Sequence, residues 1–189
     1  MLRKEWEEIM KQYVTADLHF NHKNIIKFCD RPFYDVEEMN NKLINNINSR
    51  CKPTDILYNI GDFLFTKSTQ ADVIHKTPEE LIECKLIHII GNHDHRNNIR
   101  GLDYAVITYA KVKYLMCHIP PTSKNSLPMP FAWIDCILCG HVHEKWSEQI
   151  FNWDLKDIPM INVGVDVRKF APISMQEIDV IYKRMKEKK

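Results

Sequence analysis

The sequence of 189 residues predicts an α/β layered fold, and three features point that way. Short apolar runs recur along the chain, helix-start signals lie between them, and several runs stop at residues of metal-binding type. Strands that alternate with helices stack in layers. Ligand sites in such folds form outside the carboxyl ends of the strands, which is where these polar residues fall. The length suits one domain over residues 1–189, with 1–12 as an N-terminal extension and 174–189 as a C-terminal helix.

In chain order, Tyr13-Val14-Thr15-Ala16 is a strand that ends at Asp17. Asp35 with Glu38 is a capping box ahead of Val36, Met39, Leu43 and Ile47, which share one helical face. Ile56 to Ile60 is a strand ending at Gly61-Asp62. Thr77-Pro78-Glu79-Glu80 joins an N-cap, a first-turn proline and first-turn acids, opening a short helix through Leu81 and Ile82. Leu86 to Ile90, with His88 inside it, ends at Gly91-Asn92-His93-Asp94. Val112 to Cys117 ends at His118, and Ile137-Leu138-Cys139 ends at Gly140-His141-Val142-His143. Their length and flanking glycines favour strands over helices. Pro120 to Pro130 carries four prolines and reads, with Phe63 to Lys76, as a loop near the site. Asn162 to Asp166 reads as a final strand and turn, with Asp166 structural or in contact with a ligand. Ser174 with Glu177 opens a last helix whose inner face is Ile178, Ile181 and Met185, ending in the solvated tail Lys183 to Lys189.

Composition removes several function classes. Lys plus Arg (26) nearly equals Asp plus Glu (25), a net charge of +1. That balance disfavours nucleic acid as a partner bound through many phosphates. Met1 to Glu8 interleaves charges, with no apolar stretch of signal length. No run approaches the roughly 20 apolar residues that span a bilayer. The expectation is a cytoplasmic protein without a membrane partner. Six cysteines fit reduced thiols, and the Cys136–Cys139 pair reads as small core residues in an apolar strand rather than a zinc or redox motif.

The strand ends carry the chemistry. Of five glycines, Gly61, Gly91 and Gly140 each precede a candidate ligand. Five of nine histidines, His19, His93, His118, His141 and His143, sit in these clusters. Asp17/His19 and His141/His143 are spaced i, i+2, which on extended chain puts both side chains on one side. Imidazole with carboxylate and amide oxygen, and no thiolate, suits manganese, iron, cobalt, nickel or zinc. Asp62, with two oxygens, is the natural bridge for two ions about 3.5–4 Å apart.

Taken in order, Asp17/His19, Gly61-Asp62, Gly91-Asn92-His93-Asp94, His118 and Gly140-His141-Val142-His143 resemble the calcineurin-like metallophosphoesterase superfamily. Asp17 to His22 followed by Arg31-Pro32-Phe33 looks like its small single-domain bacterial and phage members. The resemblance implies a four-layer α/β/β/α sandwich of two mixed sheets flanked by helices. It implies two divalent transition-metal ions, manganese the first choice, one held by Asp17, His19, Asp62 and His143. The other would be held by Asp62, Asn92, His118 and His141. The implied activity is hydrolysis of a phosphodiester or phosphomonoester, a nucleotide or cyclic nucleotide being within range, by a metal-bridging hydroxide. Asp62, Asn92 and His93 would be catalytic, with His93 as general acid.

One departure stands out. Many phosphoprotein phosphatases of the superfamily have an aspartate three residues after the bridging one, orienting the catalytic histidine; here it is Phe65. Asp94 or a backbone carbonyl would then orient His93, or the part played by His93 is weaker than that of a general acid. For substrate contacts, Asn92 and His93 are joined by His22, Arg31 and Arg96. His22 reads equally as the partner of a ligand or an exposed loop residue, and Arg31 and Arg96 as structural ion pairs. Singly, each ligand can also be read as a cap or turn residue; five strand ends closing in imidazole or carboxylate cannot. A nuclease and a non-catalytic scaffold of the same fold are the alternative functions.

Overall fold

The computed structural model describes residues 10–65, 78–122, 133–153 and 156–187. A first sheet has β1 (Gln12–Thr15) between β2 (Ile56–Ile60) and β9 (Ile173–Ser174), with β3 (Lys85–Ile89) beyond β2. β1, β2 and β3 are parallel and β9 antiparallel. A second sheet runs β4 (Ala105–Tyr109), β5 (Val112–Met116), β6 (Cys136–Cys139), β8 (Lys156–Asn162), β7 (Glu148–Trp153). Its three central strands are parallel and its two edges antiparallel. Both sheets are mixed, as the family resemblance implies.

Period-two alternation explains the packing. Val14, Tyr58 and Ile60 of the first sheet meet Tyr114, Met116, Leu138 and Ile161 of the second in a central core. The alternate residues Tyr13 and Leu57 face outward against Met39, Leu43 and Ile47 of α2 (Val36–Arg50) and Ile25 of α1 (Lys23–Phe28). Ile82 and Cys84, after the short α3 (Pro78–Leu81), join that outer cluster. The last helix, α4 (Met175–Glu187), spans the sandwich, packing on β1 and β9 of one sheet and β8 of the other. Ile178 and Met185 are its buried face and Ile181 is half-buried.

The outer face of the second sheet carries a further apolar cluster. Leu115, Ile137, Cys139, Ile158 and Met160 are closed off there by Tyr104, Ile134 and Trp146, and among the described residues no helix joins them. Cys136 and Cys139 are fully buried, with burial pushing both thiols well up. They are core residues, as expected.

Both helix caps form, and the second is a reciprocal capping box while in the first the glutamate reaches one residue further back. The Asp35 carboxylate accepts from Glu38 N at 2.8 Å, while Glu38 accepts from Tyr34 N at 2.7 Å. Ser174 Oγ accepts from Glu177 N at 3.2 Å, and Glu177 accepts from Ser174 N at 2.9 Å. Two assignments are corrected. β1 starts at Gln12, inside the stretch assigned to an extension. The strand and turn expected over 162–166 form, the strand ending at Asn162 and a 3-10 turn following at Val165–Val167 with Val167 N bonded to Gly164 O, but that strand is not the final one, since β9 comes after it. The N-terminal residues 1–9, most of the loop from Phe63 to Lys76 including His75, the expected cap Thr77, most of Pro120 to Pro130 and Lys188-Lys189 lie outside the described residues. Among those described, no helix is long and apolar enough to cross a membrane.

Candidate metal centre

The ends of β1, β2, β3, β5 and β6 deliver Asp17 and His19, Asp62, Asn92 and His93, His118, and His141 and His143 to one place. The backbone there is unusual. Asp17, His19, Asp62, His141 and His143 all have left-handed φ values of 57°, 49°, 54°, 69° and 48°. Such conformations cost non-glycine residues of order 1–2 kcal/mol each. They persist where the surroundings over-determine them and gather at functional sites. Here Asp17 N donates to Gly61 O (3.0 Å), His19 N to Asp62 O (2.9 Å) and His141 N to the Asp17 carboxylate (2.9 Å). Close approach explains two glycines. A Cβ on Gly91 would lie 2.3 Å from Asp62 Oδ1, and one on Gly164 2.6 Å from Asp17 Oδ2.

The donor atoms of these residues fall into two groups, and a third set, Cys29, His143 and Asp166, adjoins the first through His143. Asp17, His19 and His143 offer atoms within 4.8 Å of one another, as do Asp62, His118 and His141. Asp62 Oδ2 joins the groups, at 3.6 Å from His19 Nε2 and 3.2 Å from His118 Nε2. Asn92 Oδ1 is 3.1 Å from His118 Nε2. His19 Nε2 is buried without any hydrogen-bond partner. A buried polar atom is rarely left so, and a cation in the first group would satisfy it. With a mixed nitrogen and oxygen donor set, the residues fit borderline divalent ions.

Charge and burial compete at the titratable candidates. Burial raises the Asp17 carboxyl, with His118 and His143 pulling the other way. Asp62 is lowered in spite of burial, through the hydrogen bond and charge of His118 and the charge of His19. Burial holds His19 well below the usual imidazole range and lowers His141. His118 is raised because Asp62 and Asp17 outweigh its burial. His143 is raised to about 10, the Asp166 hydrogen bond overcoming burial.

Surrounding groups aim these rings. His118 Nδ1 lies 2.9 Å from Ile60 O, which makes it the donor and leaves Nε2 for the centre. His143 Nδ1 meets Asp166 Oδ2 at 2.8 Å, the carboxylate–histidine pairing that steadies metal-binding imidazoles. His22 is buried, 3.3 Å from His19 Nδ1 and stacked on Phe65 at 4.0 Å, so it is a ring partner of His19 rather than an exposed loop residue. Arg31 is buried too, bound to Asp166 and to backbone carbonyls. The ion-pair reading holds for it, because no open fork remains for a phosphate.

Asp94 does not orient His93 through its carboxylate. Its two oxygens accept from the amides of Asp62 (2.8 Å), Phe63 (2.9 Å) and Gly91 (2.8 Å), fixing the loop instead. The His93 amide donates to Asp62 Oδ1 at 2.9 Å, and Asn97 Nδ2 donates to His93 O at 2.8 Å. The ring of His93 packs edge-on against His19 and Phe65, with Nε2 3.9 Å from Asp62 Oδ2. Arg96 is exposed and, with Phe65, His93 and Asn97, lines a pocket of about 180 Å³. On the other flank, Asn92, His118, His95 and Asp103 line one of about 420 Å³. A larger pocket of about 550 Å³, beside Tyr13, Arg50 and Glu177, touches none of these ligands and lacks their chemistry.

Residues 10–172 match the model of the calcineurin-like phosphoesterase superfamily domain, and the chain belongs to that superfamily. It is therefore a hydrolase of phosphoric esters by family. An uncharacterized protein of Methanocaldococcus jannaschii is 36% identical over 174 residues, covering 89% of each chain. A protein of unknown function from Aquifex aeolicus has the same fold, with a TM-score of 0.65 at 23% identity over 91% of this chain and 99% of its own.

Proposed function

We propose that this superfamily member is a binuclear metal-dependent phosphoesterase acting on small phosphate esters, phosphodiesters before phosphomonoesters. The observation that carries the proposal is the pair of donor groups joined through Asp62, with the buried, unpartnered Nε2 of His19 between them. Asp17, His19, Asp62 and His143 would hold one ion, and Asp62, Asn92, His118 and His141 the other. Bound there, two divalent ions supply Lewis-acid activation of water and neutralise phosphate charge. Manganese is the first choice among ions that suit these donors.

The chain's own part is positioning and proton transfer. The ring of His93 is partly open, its side chain 38% exposed, and stands beside Asp62. From there it can donate a proton to the leaving oxygen, a role worth roughly 100- to 10,000-fold. Arg96, in the pocket next to His93, offers its cation to the departing group. Pockets on both flanks of the centre give room for two organic arms, which favours a diester. Balanced charge argues against a nuclease. Six free thiols accompany the cytoplasmic setting we assign.

Metal content and hydrolysis of bis-aryl and mono-aryl phosphates test the proposal, with Asp62→Asn beside wild type. Near two ions per chain, faster diester turnover and loss of activity in the variant are expected. Manganese-loaded wild type no more active than Asp62→Asn would overturn it and move the assignment to a scaffold.

A further inference from the structure

The two donor groups touch where His141 N donates to the Asp17 carboxylate, but the buried charges that hold their backbones differ. Arg31 is only 4% exposed. Its Nε and Nη2 donate to the two Asp166 oxygens at 2.8 and 3.0 Å. Nη2 also donates to Asp17 O at 2.7 Å, and Nη1 to Leu18 O at 3.1 Å. Asp166 Oδ2 in turn meets His143 Nδ1. One planar guanidinium therefore grips the backbone that carries Asp17 and His19 and, through one carboxylate, the ring of His143. Those are the three members of the first group. Asp17 and His19 both sit at left-handed φ, and the two carbonyls that Arg31 holds, those of Asp17 and Leu18, lie between them.

None of the Arg31 bonds reaches Asp62, Asn92, His118 or His141. That side is gathered by Asp94, whose carboxylate collects the Asp62, Phe63 and Gly91 amides, and by the Ile60 carbonyl under His118. A cation that collects carbonyls organises one group and an anion that collects amides organises the other. The first task requires arginine. Its planar fork makes two bonds to the carboxylate and one to each carbonyl from three nitrogens, four donors that the three on the single nitrogen of lysine cannot match.

We infer that Arg31, acting through Asp166, is the positioning residue for the Asp17–His19–His143 metal position alone. The inference rests on the two-metal reading above, and its test separates the two. Manganese binding by metal-free protein is followed by calorimetry and by electron paramagnetic resonance, which distinguishes a coupled ion pair from an isolated ion. Wild type is expected to bind two ions with the coupled signal. Arg31→Lys and Asp166→Asn should keep one tight ion, weaken the other by about 10- to 100-fold, and give the isolated-ion signal. Asp166→Asn preserves shape, so it decides the matter if Arg31→Lys does not fold; because it removes the buried partner of Arg31 its metal-free melting temperature should fall, and binding is compared below the onset of unfolding of each protein. Two ions bound with wild-type affinity in the variants, or both weakened alike, overturns the inference and leaves the two-metal reading intact. A wild type that binds fewer than two ions overturns that reading, and the inference with it.

Discussion

His22 shows how neighbours set a residue's chemistry. Buried against His19 and Phe65, it is held at about 4, first by desolvation and then by the charges of His93 and Arg31. A folded value below the unfolded 6.5 means that the unfolded chain takes up a proton the fold refuses. Its contribution to stability is complete above pH 6.5 and is lost as pH falls toward 4. His143 runs the other way. Raised to about 10 by Asp166, it contributes fully below pH 6.5 and loses that contribution as pH rises toward 10. The urea midpoint of metal-free protein should therefore fall on both sides of about pH 6.5. His22→Leu should flatten the acid limb; an acid limb as steep as wild type would assign it to other groups. That the candidate ligands would meet was legible because each needs only its own chemistry and a strand end. The pairing of Arg31 with Asp166 spans 135 positions, and no local pattern announces it. Nor did the sequence show that the oxygens of Asp94 are already taken by three amides.

At the scale of elements, legibility followed local signals. Asp35 and Ser174 mark helix starts because a cap is a short-range bond, and both caps formed. β4 escaped notice since its hairpin to β5 turns through Ala110-Lys111, at φ 47° and 68°, in place of the Asn-Gly that such turns favour. Its half-buried residues also show no clear alternation. β7 and β8 were masked by Pro159, a residue expected to interrupt strands, yet it pairs with Ile150 of the edge strand. The hairpin supplies its own prediction. Lysine at φ 68° bears a left-handed penalty that glycine does not, so Lys111→Gly should stabilise the protein by about 1 kcal/mol. Chemical denaturation measures it. A lower midpoint at unchanged slope would mean that Lys111 makes contacts worth more than the strain.

Across the whole molecule, the alternation of strands and helices gave the layered class, but the division into two sheets came from the family resemblance rather than from periodicity. Which strands share a sheet is decided by side-chain packing between distant segments, as in the core of Val14, Ile60, Tyr114 and Leu138. The same arrangement gives the candidate centre a mechanical role. Asp17 and His19 follow β1 of the first sheet while His143 follows β6 of the second; Asp62 follows β2 while His118 and His141 follow β5 and β6. Each donor group thus draws on both sheets, and an ion bound in either would tie them together. Because such a site is dispersed in the unfolded chain, metal binding adds to folding stability. At a free concentration a hundred times its dissociation constant, one ion adds about 2.7 kcal/mol, or about 5–10 °C of melting temperature in a chain of this size. Scanning calorimetry with and without manganese should show that rise for wild type. Asp62→Asn, which weakens the carboxylate proposed to join the two groups, should lose most of it. An equal rise in the variant would place Asp62 outside the ion-binding set, and no rise in wild type would mean that the sheets are held by their core alone.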